Sequence, residues 1–159
     1  MITTVSLKEA LLDSTREVFE TMVFMTVEEA QQDAGRVEEP ALLGTITFKG
    51  HVEGCLGICC GRAGAAAMAT SMLGMGPDDV LGDNEISDAI GEITNMVLGA
   101  LKSRIQNEAG PIEVSIPCVV QGRELRNSLG ERAARIQVLI RIEEEYLAEL
   151  SLLHREAGK

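Results

Sequence analysis

Apolar positions recur along this chain with two different periods, and each period predicts one kind of element. Ser6 has the features of an N-cap, because Glu9 follows three residues later as in a capping box. Apolar residues then recur at helical spacing to about Gln32. These residues are Leu7, Leu11, Val18, Met22 and Met25. The segment from Gly35 to Pro40 is rich in helix breakers, so we expect this first helix to end before it.

A β-hairpin is predicted next, because residues 42–48 and 51–60 form two strand-like runs joined at Lys49-Gly50. Residues 63–73 are mostly small and predict a helix, which Gly74, Gly76 and Pro77 would end. A longer helical pattern follows from Asn84 to about Gln106.

The last third of the chain reads as two further strands, Ile112 to Gln121 and Ala133 to Glu143. For residues 144–159 the pattern predicts either a short C-terminal helix or a frayed tail. The predicted order is helix–strand–strand–helix–helix–strand–strand, with a long helix and a hairpin in each half. We therefore expect an α+β fold with internal pseudo-symmetry, in which long helices pack on a mainly antiparallel sheet. Residues 1–159 are expected to form one domain.

The composition limits the classes of protein to which this chain can belong. Hydrophobic residues make up 45% of it, but aromatic residues only 3%, so the core must consist of aliphatic side chains, Ala and Met. Fourteen basic and 25 acidic residues give a net charge of -11, which excludes the phosphate attraction that nucleic-acid binding needs. We find neither an apolar run of about 20 residues nor a signal peptide. We therefore expect a cytoplasmic protein with no membrane or nucleic-acid partner.

Cysteine and histidine chemistry gives no convincing site. The four cysteines form no C-x-x-C pair and fall within predicted strands, where we expect buried thiols in a reducing compartment. Cys59 and Cys60 are adjacent, so they should point to opposite faces of a strand. His51 and His154 are too few and too isolated to predict a metal site. The glycine pairs near Cys55 lack the Gly-Lys-Ser/Thr ending of a phosphate-binding loop. No cofactor is predicted for this chain.

The long helix carries the most informative pattern. At about 100° per residue, its apolar stripe is formed by Ile86, Ile90, Ile93, Val97 and Leu101. Asp88, Glu92 and Asn95 lie opposite this stripe, with Gly99 one turn beyond Asn95. A solvated helix face is the common explanation of such a polar stripe. It does not explain why a glycine, which costs helix stability, stands beside a carboxylate and an amide that are one turn apart.

The spacing Asp88-x3-Glu92-x2-Asn95, followed by Pro117, resembles the signature of the CheC/CheX/FliY chemotaxis phosphatases. In that family an Asp or Ser precedes a Glu and an Asn, and a proline follows. Here 21 residues separate Asn95 from Pro117, one fewer than the usual pattern. The run from Ala89 to Gly99 is closest to CheX members, and the predicted order of elements agrees along nearly the whole chain.

This resemblance implies an enzyme that dephosphorylates the phosphoaspartate of a CheY-like response regulator and has no cofactor of its own. Asn95 would orient the attacking water, Glu92 would pair with a receiver lysine, and Asp88 would help to dock the helix. Pro117 would shape the edge of the sheet. Mg2+ is expected in the receiver domain, and a homodimer is expected as in CheX. The alternative is a non-catalytic module that binds a receiver or another chemotaxis protein.

The first helix repeats part of this spacing with Asp13, Glu17 and Glu20. Glu20 stands where the second copy has Asn95, and a carboxylate there would repel a phosphoryl group. We therefore expect Glu20 to be exposed, opposite Leu7, Leu11, Val18 and Met22, in a docking surface without activity.

Overall fold

The computed structural model describes residues 4–76, 78–130 and 132–157, in which three α-helices lie against one antiparallel sheet. Pro77, which the sequence predicts to help end a helix, lies outside the described residues, as do residues 1–3, 131, 158 and 159. The helices are α1 (Thr4–Val18, continued by a π-helical turn Phe19–Val23), α2 (Arg62–Met72) and α3 (Asp83–Ala109). The strands are β1 (Val27–Glu29), β2 (Ala41–Gly50), β3 (Val52–Gly61), β4 (Ile112–Val114), β5 (Cys118–Gly122), β6 (Ala134–Ile142) and β7 (Tyr146–Glu156).

The order of the strands confirms the predicted α+β fold. The sheet runs β1-β6-β7-β3-β2-β4, and β5 also pairs with β2. The hairpins β2–β3 and β6–β7 meet where β3 pairs with β7 at the centre. Each outer strand pairs with the hairpin of the opposite half: β1 with β6, and β4 and β5 with β2. The order of the strands is therefore pseudo-symmetric: from either edge, an outer strand is followed by the hairpin of the opposite half.

The first helix is shorter than the sequence predicts. Ser6 lies inside α1 and is not its N-cap, and the helical segment ends at Val23 instead of Gln32. The π-helical turn inserts an extra residue, so the buried stripe passes from Val18 to Val23 and leaves Met22 48% exposed. The prediction that Met22 lies on the buried side is therefore wrong. Beyond the helix, β1 pairs with β6, and these tertiary contacts override the local helical pattern.

For residues 144–159 the sequence predicts a short helix or a frayed tail, but most of the described part of this segment is a strand. Tyr146–Glu156 form β7, which pairs with β3 on one side and β6 on the other. Three leucines of this strand, Leu150, Leu152 and Leu153, are at most 1% exposed. Leucine and glutamate favour helices, but pairing on both sides of a central strand outweighs that preference.

The core lies between the helices and one face of the sheet, and it is built almost entirely from aliphatic side chains. Cys60 faces this core, and burial raises the pKa of its thiol to about 12. Cys59 points to the opposite face of the sheet as predicted, and burial, followed by the charges of Glu149 and Glu39, raises its pKa to about 11. Cys118 is exposed, so the expectation that all four thiols are buried is wrong for this residue. No helix within the described residues is long and apolar enough to cross a membrane.

Candidate functional site

The polar face of α3 forms an exposed ridge, as the sequence predicts. Asp88, Glu92, Asn95 and Gly99 are all exposed, and we call these four residues the α3 ridge. The residues of the opposite stripe, from Ile86 to Leu101, are at most 3% exposed. A Cβ atom added to Gly99 would meet no other atom within 4 Å, so the ridge is bare beside the amide of Asn95.

A glycine in the sheet allows α3, and with it the ridge, to pack closely against strand β2. A Cβ atom on Gly44 of β2 would overlap the Thr94 hydroxyl and would lie 3.1 Å from Cγ2 of Ile90. The helix therefore rests directly on the backbone of β2. Thr94 is fully buried at this contact, and its hydroxyl donates a hydrogen bond of 2.7 Å to the carbonyl of Ile90. Asn95 follows Thr94 in sequence, so the same contact sets the position of the amide.

The edge of the sheet beside the ridge contains a β-bulge. The sequence predicts one strand from Ile112 to Gln121, but β4 and β5 are separated by residues 115–117. These three residues lie opposite only Ile46 and Thr47 of β2, because Val114 pairs with Phe48 and Cys118 with Thr45. Proline cannot donate a hydrogen bond to a sheet, and it is tolerated at such a position.

Pro117 joins this bulge to the ridge. A Cβ atom on Gly91 of α3 would lie 3.5 Å from Cγ2 of Val119 and 3.7 Å from Cγ of Pro117. The proline ring therefore packs beside the helical turn that carries Glu92. This contact gives Pro117 a structural position at the sheet edge and beside the motif helix, and the spacing in sequence alone does not reveal it.

The opposite flank of the ridge is formed by the other two helices. The end of α2 contributes Met72 and Leu73 to a groove that Asp88 and Glu92 also line. A shallow depression lies further along α3, where Gly99 and Thr21 of the π-helical turn both line it. These flanking residues cannot be identified from the sequence, because their proximity to α3 depends on how the helices pack.

The ridge is acidic, and its side chains have no partners within the described part of the chain. No hydrogen bond or ion pair there involves the side chains of Asp88, Glu92 or Asn95. Two arginines close to α3 are already paired: Arg62 of α2 with Asp83 at the start of α3, and Arg104 of α3 with Glu17 of α1. The described residues contain no group of three or more His, Cys, Asp or Glu side chains arranged to hold a metal ion. The ridge thus offers an amide that can orient a water molecule and carboxylates that can pair with a cation from a partner.

The first helix presents its own acids differently. Glu20 is exposed on the π-helical turn, as expected, and Glu17 accepts a hydrogen bond of 2.7 Å from Arg104. The equivalence of Glu20 and Asn95 remains a prediction.

The comparisons with known proteins bear on the fold and the family of this chain. Residues 42–141, well over half of the chain, match the family model described as chemotaxis phosphatase CheX. The chain belongs to the CheX family. No curated protein has a significantly matching sequence. Two solved structures with this fold are the chemotaxis protein CheX from Vibrio vulnificus and a putative chemotaxis protein from Desulfovibrio vulgaris Hildenborough.

The similarity to these structures extends over almost the whole CheX-like fold. The Vibrio protein has a TM-score of 0.77 and 24% identity, with 98% of this chain and 100% of that chain covered. The Desulfovibrio protein has a TM-score of 0.79 and 18% identity, with the same coverage. A third structure is a complex of CheX with CheY, BeF3 and Mg2+ from Borrelia burgdorferi. It has a TM-score of 0.73 and 16% identity and covers 94% of this chain and 98% of that chain.

The seating of α3 on β2 can be tested with two glycine substitutions. We expect Gly44→Ala to lower the free energy of unfolding by about 1–3 kcal/mol, because the methyl group overlaps the Thr94 hydroxyl. Gly91→Ala is the matched control: its methyl group would make ordinary contacts, and alanine favours a helix by up to about 1 kcal/mol. Urea unfolding measures both values, and a Gly44→Ala protein as stable as the wild type would contradict the close approach.

Proposed function

We propose that this protein dephosphorylates the phosphoaspartate of a CheY-like receiver domain. The observation that carries the proposal is the α3 ridge, where Glu92 and Asn95 are exposed, one turn apart and free of partners in the described residues. Membership of the CheX family supports the assignment to a phosphatase. The Borrelia relative whose complex contains CheY, BeF3 and Mg2+ supports a receiver as the partner.

The reaction requires little chemistry from the phosphatase itself. The oxygen of a water molecule attacks phosphorus, and the bond between phosphorus and the aspartyl oxygen breaks. The products are inorganic phosphate and a free aspartate side chain. Mg2+ and a lysine of the receiver offset the charge on the phosphoryl oxygens. Such transfers are catalysed mainly by positioning and electrostatic stabilisation, so the missing component is a water molecule held in line with the breaking bond.

Asn95 is suited to hold this water. Its carbonyl oxygen accepts a hydrogen bond from the water, while its NH2 group donates towards a phosphoryl oxygen. The amide is neutral, so it does not repel the phosphoryl group as a carboxylate would. The bare surface at Gly99 leaves room for the receiver backbone beside it.

The remaining motif residues position the helix. Glu92 pairs with the lysine of the receiver and thereby sets the register of α3 in the cleft. Asp88 lies one turn earlier on the ridge and assists docking. Pro117 acts indirectly, because its ring supports the turn that carries Glu92.

The second candidate is a non-catalytic module that docks the same ridge on a receiver or another chemotaxis protein. Both functions use the exposed acids, but only catalysis requires an amide at position 95. The release of inorganic phosphate from a phosphorylated receiver therefore distinguishes them.

The proposal also includes a homodimer in the cytoplasm. The free edge formed by β4 and β5 carries exposed apolar side chains at Val114, Ile116 and Val120, which a second copy would cover. The sedimentation coefficient of the wild-type protein reports this directly.

Replacing Asn95 tests the catalytic role. We expect Asn95→Ala to lower the single-turnover rate of dephosphorylation at least about a hundredfold, because the water loses its orienting group. The side chain is exposed and makes no contact that the fold requires, so the melting temperature should stay the same. Asn107→Ala is the matched control, since it removes the same amide from an exposed position near the end of the same helix.

Two results would contradict this mechanism. A folded and fully active Asn95→Ala protein would remove Asn95 from the reaction. A wild-type protein that binds phosphorylated receivers without releasing phosphate would instead support the non-catalytic module.

Replacing Glu92 separates docking from catalysis. If Glu92 pairs with a lysine of the receiver, Glu92→Lys should weaken binding and make the remaining affinity less sensitive to salt. Titrations with a BeF3-activated receiver at two ionic strengths measure both effects. Glu108→Lys is the control, because it makes the same charge change on an exposed part of α3 away from the ridge. Equal affinities for the two variants would show that Glu92 is an ordinary surface acid.

A further inference from the structure

Three large apolar side chains are exposed where α1 and α2 end. Met22 is 48% exposed, Phe24 66% and Leu73 52%, and we call these residues the helix-end patch. The chain has only three phenylalanines, one tyrosine and no tryptophan. Phe19 and Phe48 are at most 4% exposed, so Phe24 is the phenylalanine that the fold leaves in solvent. Phenylalanine and methionine are both enriched at protein–protein interfaces relative to the rest of the protein surface.

The backbone at Phe24 makes this exposure harder to explain by folding alone. Phe24 follows the π-helical turn with φ 63° and ψ 40°, and its N–H donates a hydrogen bond to the carbonyl of Phe19. A bulky residue is unfavourable in this left-handed conformation, where glycine or asparagine is usual. Conformational strain of this kind concentrates at functional sites. The fold gains little from a phenylalanine here, which points to a role for its side chain.

The helix-end patch is continuous with the α3 ridge. The hydroxyl of Ser71 donates a hydrogen bond of 2.6 Å to the carbonyl of Val23, which ties the end of the π-helical turn to the end of α2. Leu73 lies two residues beyond Ser71 and lines the groove that also contains Asp88 and Glu92. The patch therefore adjoins the part of the ridge that carries Asp88 and Glu92.

The register between α1 and α3 directs the end of the π-helical turn towards the ridge. Arg104 contacts Ser14 and Glu17, whereas Thr21 borders the depression that contains Gly99. The two helices thus run in opposite directions along this contact. The residues that follow Thr21 therefore continue towards the part of α3 that carries Asn95.

The charge of the ridge explains why a second contact is needed. The ridge carries two acids, the whole chain has a net charge of -11, and the phosphoryl group that it approaches is also anionic. Contacts at the ridge can orient the reacting groups. Repulsion between the negative charge of this chain and that of the phosphoryl group nevertheless opposes association. Burial of apolar surface does not depend on charge and supplies a favourable term.

We propose that the helix-end patch is a docking surface for apolar side chains bordering the phosphorylation cleft of the receiver. This inference rests on the proposed function and assigns to Met22, Phe24 and Leu73 the affinity that the ridge lacks. Docking through the patch would hold Asn95 at the cleft without taking part in the reaction.

The test separates affinity from catalysis in steady-state dephosphorylation by the full chain. Phe24→Gly and Leu73→Ala are expected to raise KM, and the Kd for a BeF3-activated CheY-like receiver, at least about tenfold each. The turnover number should stay within about twofold, because the ridge is intact. Phe24→Gly should also fold at least as stably as the wild type, since glycine suits the positive φ. Val80→Ala is the control, because Val80 is 90% exposed and belongs neither to the helix-end patch, nor to the α3 ridge, nor to the sheet edge proposed to bind a second copy.

Each other outcome is decisive. An active wild type whose KM and Kd are unchanged by both substitutions would overturn the docking surface while leaving the proposed function in place. A wild type that neither binds nor dephosphorylates any receiver would overturn both. Substitutions that weaken self-association and leave KM unchanged would show that a second copy of the chain covers the patch.

Discussion

The contact between α3 and β2 at Gly44 governs the rest of this structure. Because Gly44 has no side chain, the helix rests on the strand backbone, and Thr94 and Ile90 fill the space that a Cβ atom would take. The apolar stripe of α3 is thereby buried in the core. The opposite face of the helix is exposed, with the edge of the sheet on one side and the other two helices on the other. The position of Asn95 follows from a packing constraint on the buried side of the same helix. A polar site of this kind is only as rigid as the core beneath it.

The exposed polar face of α3 could be predicted from the sequence largely because its signal is local. The spacing of Asp88, Glu92 and Asn95 against the apolar stripe predicts an exposed face, and one helix is enough to carry that information. The hairpin β2–β3 could be predicted for the same reason, since its two strands alternate around a short turn. The surroundings of the site could not be predicted, because Leu73 and Pro117 reach it only through the packing of separate elements.

The elements that sequence reasoning missed have physical causes in common. The strand β7 has leucine and glutamate residues typical of a helix, and it becomes a strand because partners on both sides satisfy its backbone. The π-helical turn shifts the buried stripe of α1 by one residue, which a regular period of 3.6 cannot anticipate. The bulge at residues 115–117 likewise breaks a regular period, in this case that of a strand. In each case a contact distant in sequence, or an inserted residue, decides the local conformation.

The exchange of outer strands between the two halves also bears on how the chain folds. Strand β1 belongs to the first half but pairs with β6, and β4 and β5 belong to the second half but pair with β2. Neither half can complete its sheet from its own residues, although each contains a helix and a hairpin. Pairings between residues so far apart in sequence must close large loops, and such topologies fold slowly. We therefore expect the two halves to fold as a single cooperative unit, because neither hairpin has its full set of neighbours without the other.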